Sequence, residues 1–230
     1  MTNVTQGRLA SIQVGGPREH GGAEIASAAG ERPWSTGFYK TPVGGSVVAR
    51  RTNLDGDAQA DLMNHGGVDK AVCVYSLDHY AYWRGVLAAH GIERDAVTPG
   101  AFGENFSIEG LVEADVCIGD VWRIGDAAFQ ISQPRQPCWK LARRWGIKTL
   151  AAQVIETGKT GWYLRVLEEG PVAAGMAISL VERPCPEWTV ARANWGMHEA
   201  KGDGEAARGL AAVEWLSESW RSTLACRHER

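Results

Sequence analysis

The chain has 230 residues, enough for one or two domains at roughly 150 residues each. A composition of 44% hydrophobic and 22% charged residues excludes disorder throughout and allows a sizeable core. With 24 Lys and Arg against 27 Asp and Glu, the formal charge is -3, which excludes general polyanion binding and makes any basic site a local feature.

The 28 glycines and 9 prolines favour many turns, hence β structure rather than a helical bundle. Leu9, Ile12 and Val14 suit one early strand. Residues 15–45 hold many turn formers (Gly15-Gly16-Pro17, Gly21-Gly22, Gly44-Gly45) and read as loop with a short strand or two. Ser46-Val47-Val48-Ala49 suits another strand. Residues 54–69 are polar and glycine-rich, and read as a long loop of the kind that often carries function. The apolar run Ala71-Val72-Cys73-Val74-Tyr75 predicts a buried strand. Ser76 then caps a helix that ends at Gly91, with Leu77, Tyr80, Ala81, Val86 and Leu87 as its stripe. Residues 106–132 read as three short strands parted by Gly119-Asp120 and Gly125-Asp126. A short helix is expected from Cys138 to Gly146 and another over 148–156, closed by Gly158. Strands return over 162–167 and 177–182. After Pro184 and Pro186 the pattern turns helical over 190–195 and 206–220, linked by Gly202-Asp203-Gly204. A boundary near 185 divides a β-rich domain, 1–184, from a helical extension, 185–230.

No apolar run approaches the ~20 residues that span a bilayer, and no basic leader with an apolar stretch opens the chain, so neither a membrane nor a secretory signal is expected. The cysteines, Cys73, Cys117, Cys138, Cys185 and Cys226, are odd in number, widely spaced and without a CxxC pair. They argue against a disulfide framework or zinc ribbon and fit a reduced, cytoplasmic protein. Gly158-Lys159-Thr160 is not a phosphate-binding P-loop, because Gln153 stands where that motif needs a glycine. There is no GxGxxG, no EF-hand spacing in Asp55, Asp57 and Asp61, and no two-His metal spacing.

Three segments carry candidate chemistry. In Gln133-Pro134-Arg135-Gln136-Pro137-Cys138-Trp139-Lys140-Leu141 the prolines fix an extended approach and Cys138 opens a helix. A helix N-terminus stabilises negative charge, and Arg135, Lys140, Arg143 and Arg144 add positive potential, so Cys138 suits a soft ligand or nucleophile. A buried, inert cysteine is the alternative, which the prolines and basic neighbours disfavour. In His65-Gly66-Gly67-Val68-Asp69-Lys70 the glycines permit close backbone approach to an anion and Lys70 adds a point charge; a plain turn is the alternative. Gly103-Glu104-Asn105 offers acceptors and an amide to a polar heterocycle, again with a turn as the alternative.

Together these motifs resemble the MOSC-domain family, in particular its YiiM-like branch. The resemblance rests on Gly56-Asp57-Ala58-Gln59-Ala60-Asp61, His65-Gly66-Gly67-Val68-Asp69-Lys70-Ala71, Tyr75-Ser76-Leu77-Asp78-His79-Tyr80, Phe102-Gly103-Glu104-Asn105, Gly119-Asp120, the Cys138 segment and Thr157-Gly158-Lys159-Thr160-Gly161-Trp162. Each piece alone is weak, but the ordered set over about residues 50–182 is specific, and Trp188-Thr189-Val190 resembles the start of a three-helix tail. The first 45 residues and the far tail match less clearly.

The resemblance implies a mainly β, α+β fold: a β-barrel-like core with a small C-terminal three-helix extension. It implies the molybdenum cofactor (molybdopterin), with Cys138 as metal ligand, and reductive removal of oxygen from small N-hydroxylated substrates such as hydroxylaminopurines or amidoximes. On that basis Lys70, Arg135, Lys140 and Arg143 are expected partners of the pterin phosphate, and His65, Gly66, Gly67, Gly103 and Asn105 complete the expected cofactor-binding set. His65 or Glu104 is expected to supply a proton, and Trp139, Trp162 or Phe102 to stack on a planar heterocycle. No flavin, iron–sulfur or haem signature is present, so the expected electron source is an external reductase. No nucleic-acid polymer is expected, and a homodimer is left open. Two other readings compete: a non-catalytic cofactor or sulfur carrier, and a cysteine hydrolase in which His65 meets Cys138.

Overall fold

The computed structural model describes residues 4–20, 33–200 and 203–226; Gly21, Gly22 and Gly202, assigned above to loops, lie outside the described residues. In chain order the strands are β1 (Val4–Val14), β2 (Arg18–His20), β3 (Trp34–Thr36), β4 (Thr41–Pro42), β5 (Ser46–Arg50), β6 (Asn53–Leu54), β7 (Val72–Ser76), β8 (Phe106–Glu109), β9 (Val121–Ile124), β10 (Ala127–Pro134), β11 (Trp162–Glu168), β12 (Gly170–Ala173) and β13 (Ala177–Glu182). The helices are α1 (Leu62–His65), α2 (Tyr80–Ala88), α3 (Trp139–Trp145), α4 (Leu150–Glu156), α5 (Val190–His198), α6 (Gly204–Ala211) and α7 (Glu218–Ala225).

Seven strands close into a barrel in the order β13, β9, β10, β11, β7, β8, β1, and β1 returns to pair with β13. Every neighbour in the ring is antiparallel except β7 with β8. A parallel pair cannot be joined by a tight turn, and the crossover here runs through α2. Strand alternation then sorts the side chains. Val72 and Val74 of β7 and Trp162, Leu164 and Val166 of β11 join Leu9, Ile12, Phe106, Ile108, Trp122 and Phe129 in the barrel core. Cys73, Tyr75 and Tyr163, at the intervening positions, fall on the outer wall. Trp122 and Trp162 meet edge-on inside, with ring centroids 6.0 Å apart. Fully burying a tryptophan contributes at most about 4–6 kcal/mol, which makes this pair a main anchor of the barrel.

A second apolar cluster lies against that outer wall. Tyr75, Tyr80, Trp83, Leu87, Phe102, Leu141, Leu150 and Val154 pack together, so α2, α3 and α4 cover one side of the barrel. Tyr75 stacks on Phe102 at 4.4 Å. The C-terminal helices attach elsewhere. Val190, Ala193, Leu210, Trp220 and Leu224 belong to the same continuous apolar cluster as the barrel interior, so one core runs across residue 185. No helix among the described residues is long and apolar enough to cross a membrane.

Three local expectations need correction. The loop read over 54–69 contains α1, whose start is capped by Asp61, and a single 3₁₀ turn over Val68–Lys70. The helix read over 206–220 is two helices: the chain turns after Ala211 to bury Val213 and Leu216, and Ser217 caps α7 by accepting from the Trp220 N–H at 3.3 Å. Strand β12 was not foreseen; it pairs with β5 to form a small side sheet.

Candidate functional site

Cys138 owes its position to two constraints. After β10 ends at Pro134, the Arg135 N–H still donates to the Gly161 carbonyl at 2.9 Å, which keeps the chain against the barrel wall. Cys138 then adopts extended backbone angles at the N-cap of α3, and Gly146, with φ 68°, closes that helix. The Cys138 side chain makes no capping hydrogen bond and is half-buried at the edge of a cleft.

Cys138 borders an open cleft on the outside of the barrel. One wall is the strap from Thr36 to Lys40, and a second is His65 and Lys70. The floor is Cys73 of β7 and Tyr163 of β11, which are direct cross-strand partners. Gly103 and Asn105 fill one end; Arg135, Gln136 and Lys140 stand beside Cys138.

Positive groups dominate this lining. Arg135 is 5% exposed; its Nη2 donates to the Phe102 carbonyl at 2.5 Å, while its buried Nη1 has no hydrogen-bond partner among the described residues. Lys40 pairs with the buried carboxylate of Asp57. Lys70 donates to the Asn64 carbonyl at 2.7 Å, and burial lowers its pKa. Burial, and then the charge of Lys140, pull His65 down to about 4. His65 is therefore neutral at neutral pH and offers the cleft a ring hydrogen bond, not an imidazolium proton.

Of the residues singled out in the sequence, the fold brings Cys138, His65, Lys70, Gly103, Asn105, Arg135 and Lys140 to this cleft. Asn105 arrives already committed: its Oδ1 accepts from the Cys73 N–H at 3.1 Å and its Nδ2 donates to the Gln13 carbonyl at 3.2 Å. Gly66 and Gly67 serve the turn. The Gly66 N–H closes α1 on the Leu62 carbonyl at 3.1 Å, and Gly67 adopts φ 95°.

Glu104 is elsewhere. It is fully buried and accepts from Tyr80 Oη, from Ser107 Oγ at 2.8 Å, and from the N–H groups of Gly100 at 2.7 Å and Phe102 at 3.1 Å. Its oxygens are saturated inside the loop, which removes it as a proton donor to the cleft. Arg143 does not line the cleft either; its guanidinium lies over the rings of Trp34, at 5.1 Å, and Trp139, at 5.7 Å. Phe102 and Trp162 are fully buried in the two cores; Trp139, 54% exposed, lies outside the cleft lining with its ring 5.1 Å from that of Trp34.

Sequence reasoning missed Lys40, Cys73 and Tyr163. Cys73 and Tyr163 had a legible signal in the two-residue period of their strands, because each sits between residues that face the core. Lys40 had none, since its place depends on the distant Asp57.

The fold and the site together define a small closed β-barrel with a cation-lined cleft on its outer side and a half-buried thiol at the edge of that cleft. A family profile of the MOSC domain matches residues 61–179. YflK of Bacillus subtilis (strain 168) is 42% identical over 96% of this chain and 94% of its own. The crystal structure of YiiM from Geobacillus stearothermophilus superposes with a TM-score of 0.77 at 35% identity, covering 96% of this chain and 98% of that one. A protein of Gibberella moniliformis (strain M3125 / FGSC 7600) named "Reductase" is 39% identical over 83% of this chain, which corresponds to 30% of its own length. The chain belongs to the MOSC-domain family, in its YiiM-like branch. MOSC domains are associated with molybdenum-cofactor binding.

The cleft residues fit that group. Among the described residues no cluster of three or more His, Cys, Asp or Glu is gathered that would hold a bare metal ion. One sulfur donor instead suits a metal that brings its own ligands, and the orphaned Arg135 Nη1 and the neighbouring lysines suit an anionic phosphate.

Proposed function

We propose that the protein binds the molybdenum cofactor through Cys138 and reduces small N-hydroxylated compounds, with hydroxylaminopurines and amidoximes as model substrates. The observation that carries this reading is the half-buried Cys138 thiol, which makes no capping hydrogen bond, sharing one cleft with Arg135, whose buried Nη1 has no hydrogen-bond partner among the described residues. When bound, the cofactor supplies two-electron oxygen-atom chemistry at a metal already ligated by dithiolene sulfur.

The chain's own residues do the rest. Cys138 holds the metal, and Arg135, Lys140 and Lys70 face the phosphate. Neutral His65 gives one hydrogen bond to orient the substrate or relay a proton from solvent. Cys73 and Tyr163 close the floor against water. The overall change consumes two electrons and two protons, breaks one N–O bond, and releases water. The electrons are assigned to a separate reductase. The longer Gibberella relative named "Reductase" supports this division, since a segment like this chain makes up less than a third of it.

The test is production in a host that synthesises the cofactor, followed by metal and pterin analysis and assay with reduced viologen and hydroxylaminopurine or benzamidoxime. The expected result is bound molybdenum and turnover in the wild type, and neither in Cys138→Ser. Equal molybdenum in both proteins overturns the ligand assignment. Bound molybdenum without turnover favours a carrier, and substrate loss that survives metal removal without oxidising viologen favours a hydrolase.

A further inference from the structure

The loop that carries His65 and Lys70 has no core anchor of its own. Neither α1 nor the 3₁₀ turn after it has a fully buried side chain, and its apolar residues Leu62, Met63 and Val68 are exposed at 70%, 92% and 44%. Its internal bonds, from the Asn64 N–H to Asp61 and from Lys70 Nζ to the Asn64 carbonyl, shape the loop but do not attach it to anything. The attachment comes from Asp69. Its Oδ1 accepts from Arg165 Nε at 2.5 Å, its Oδ2 from the Glu218 N–H at 3.2 Å, and its carbonyl from Ser132 Oγ at 2.5 Å.

All three of those partners lead to the C-terminal segment. Glu218 is the first residue of α7, where unpaired N–H groups and the helix dipole favour a carboxylate. Arg165 Nη1 also donates to the Trp215 carbonyl, at 2.7 Å, in the turn before α7. The Ser217 N–H donates to the Ser132 carbonyl at 2.9 Å, so Ser132 holds the loop with its hydroxyl and the tail with its carbonyl. A carboxylate bridging a guanidinium and a helix start is a strong, directional joint, and it lies next to Lys70.

We infer that the C-terminal extension is a positioning arm for the ligand cleft: α7 and the turn before it hold Asp69, and Asp69 holds the loop that sets His65 and Lys70 against the cleft. Asp69 is a positioning residue and touches no ligand. The inference rests on the cofactor reading only for what occupies the cleft.

Hydrogen exchange on the full chain without cofactor tests the joint. In Asp69→Ala, amides of residues 62–70 and of the first turn of α7 are expected to exchange about tenfold faster while β7 and β10 are unchanged. Ser217→Ala removes the α7 cap without touching the loop; it is expected to speed the loop amides by a smaller factor and to add little on top of Asp69→Ala. Asp69→Asn, which keeps an acceptor for the Glu218 N–H, is expected to recover part of the protection. Loop exchange unchanged in Asp69→Ala, or accelerated across the whole barrel, overturns the inference, as does a loop indifferent to Ser217→Ala. Molybdenum content gives an independent readout: a severalfold loss in Asp69→Ala supports the arm's role in binding, and full content despite a loosened loop overturns that role. A wild type free of molybdenum counts against the cofactor reading, and the exchange data still decide the joint.

Discussion

Cys73 and Tyr163 are direct cross-strand partners on the outer wall of the barrel, and together they floor the cleft that Cys138 borders. The two cysteines at this site differ in kind. Burial pushes the Cys73 thiol up to about 11, while Cys138 sits half-buried at a helix start. Alkylation requires the thiolate, so iodoacetamide near neutral pH is expected to mark Cys138 and the exposed Cys226 well before Cys73. Peptide mass spectrometry over a time course reads this directly. Labelling of Cys73 as fast as Cys138 would sink the distinction.

Arg135 has a structural bond and an unfilled one. Arg135→Met leaves the buried Phe102 carbonyl without its donor and removes a cation from the cleft. The expected stability loss is about 1–3 kcal/mol in urea unfolding, with molybdenum content at least about tenfold lower. Arg135→Lys keeps a charge but not the fork, and should fall between the two. Full metal content in Arg135→Met would show that the orphaned Nη1 does not serve the ligand.

The depressed His65 fixes the sign of a pH effect. The unfolded chain takes up a proton at His65 near 6.5, and the folded protein only near 4. Stability from this group is thus complete above about 6.5 and is lost as the pH falls towards 4. His65 is partly exposed, and solvent screening holds the loss to about 1–2 kcal/mol. Urea melts across this range should show a shallower pH slope for His65→Gln than for the wild type; identical slopes would refute the assignment.

Glu104 is expected to behave as a scaffold residue. Glu104→Gln turns one acceptor into a donor that faces donors from Tyr80, Ser107 and two backbone amides. The expected cost is about 1–3 kcal/mol of stability, with turnover per bound molybdenum unchanged. A variant that unfolds like the wild type but turns over far more slowly would return Glu104 to the chemistry.

Much was legible before the fold was known. Period-two alternation and glycine turns marked the strands from 106 to 132, and the prolines before Cys138 marked the start of α3, because these signals depend only on neighbouring residues. The ordered motifs also carried the family and the thiol that anchors the proposed site. Tertiary structure alone decided the rest. Glu104 and Lys70 are both charged loop residues in sequence, yet one is saturated by four donors inside the protein and the other faces the cleft. Lys40 meets Asp57, and Asp69 meets Arg165 and α7, across long stretches of chain. A charge's role depends on the donors, acceptors and water around it, and those neighbours are set by how the barrel closes, which no local pattern records.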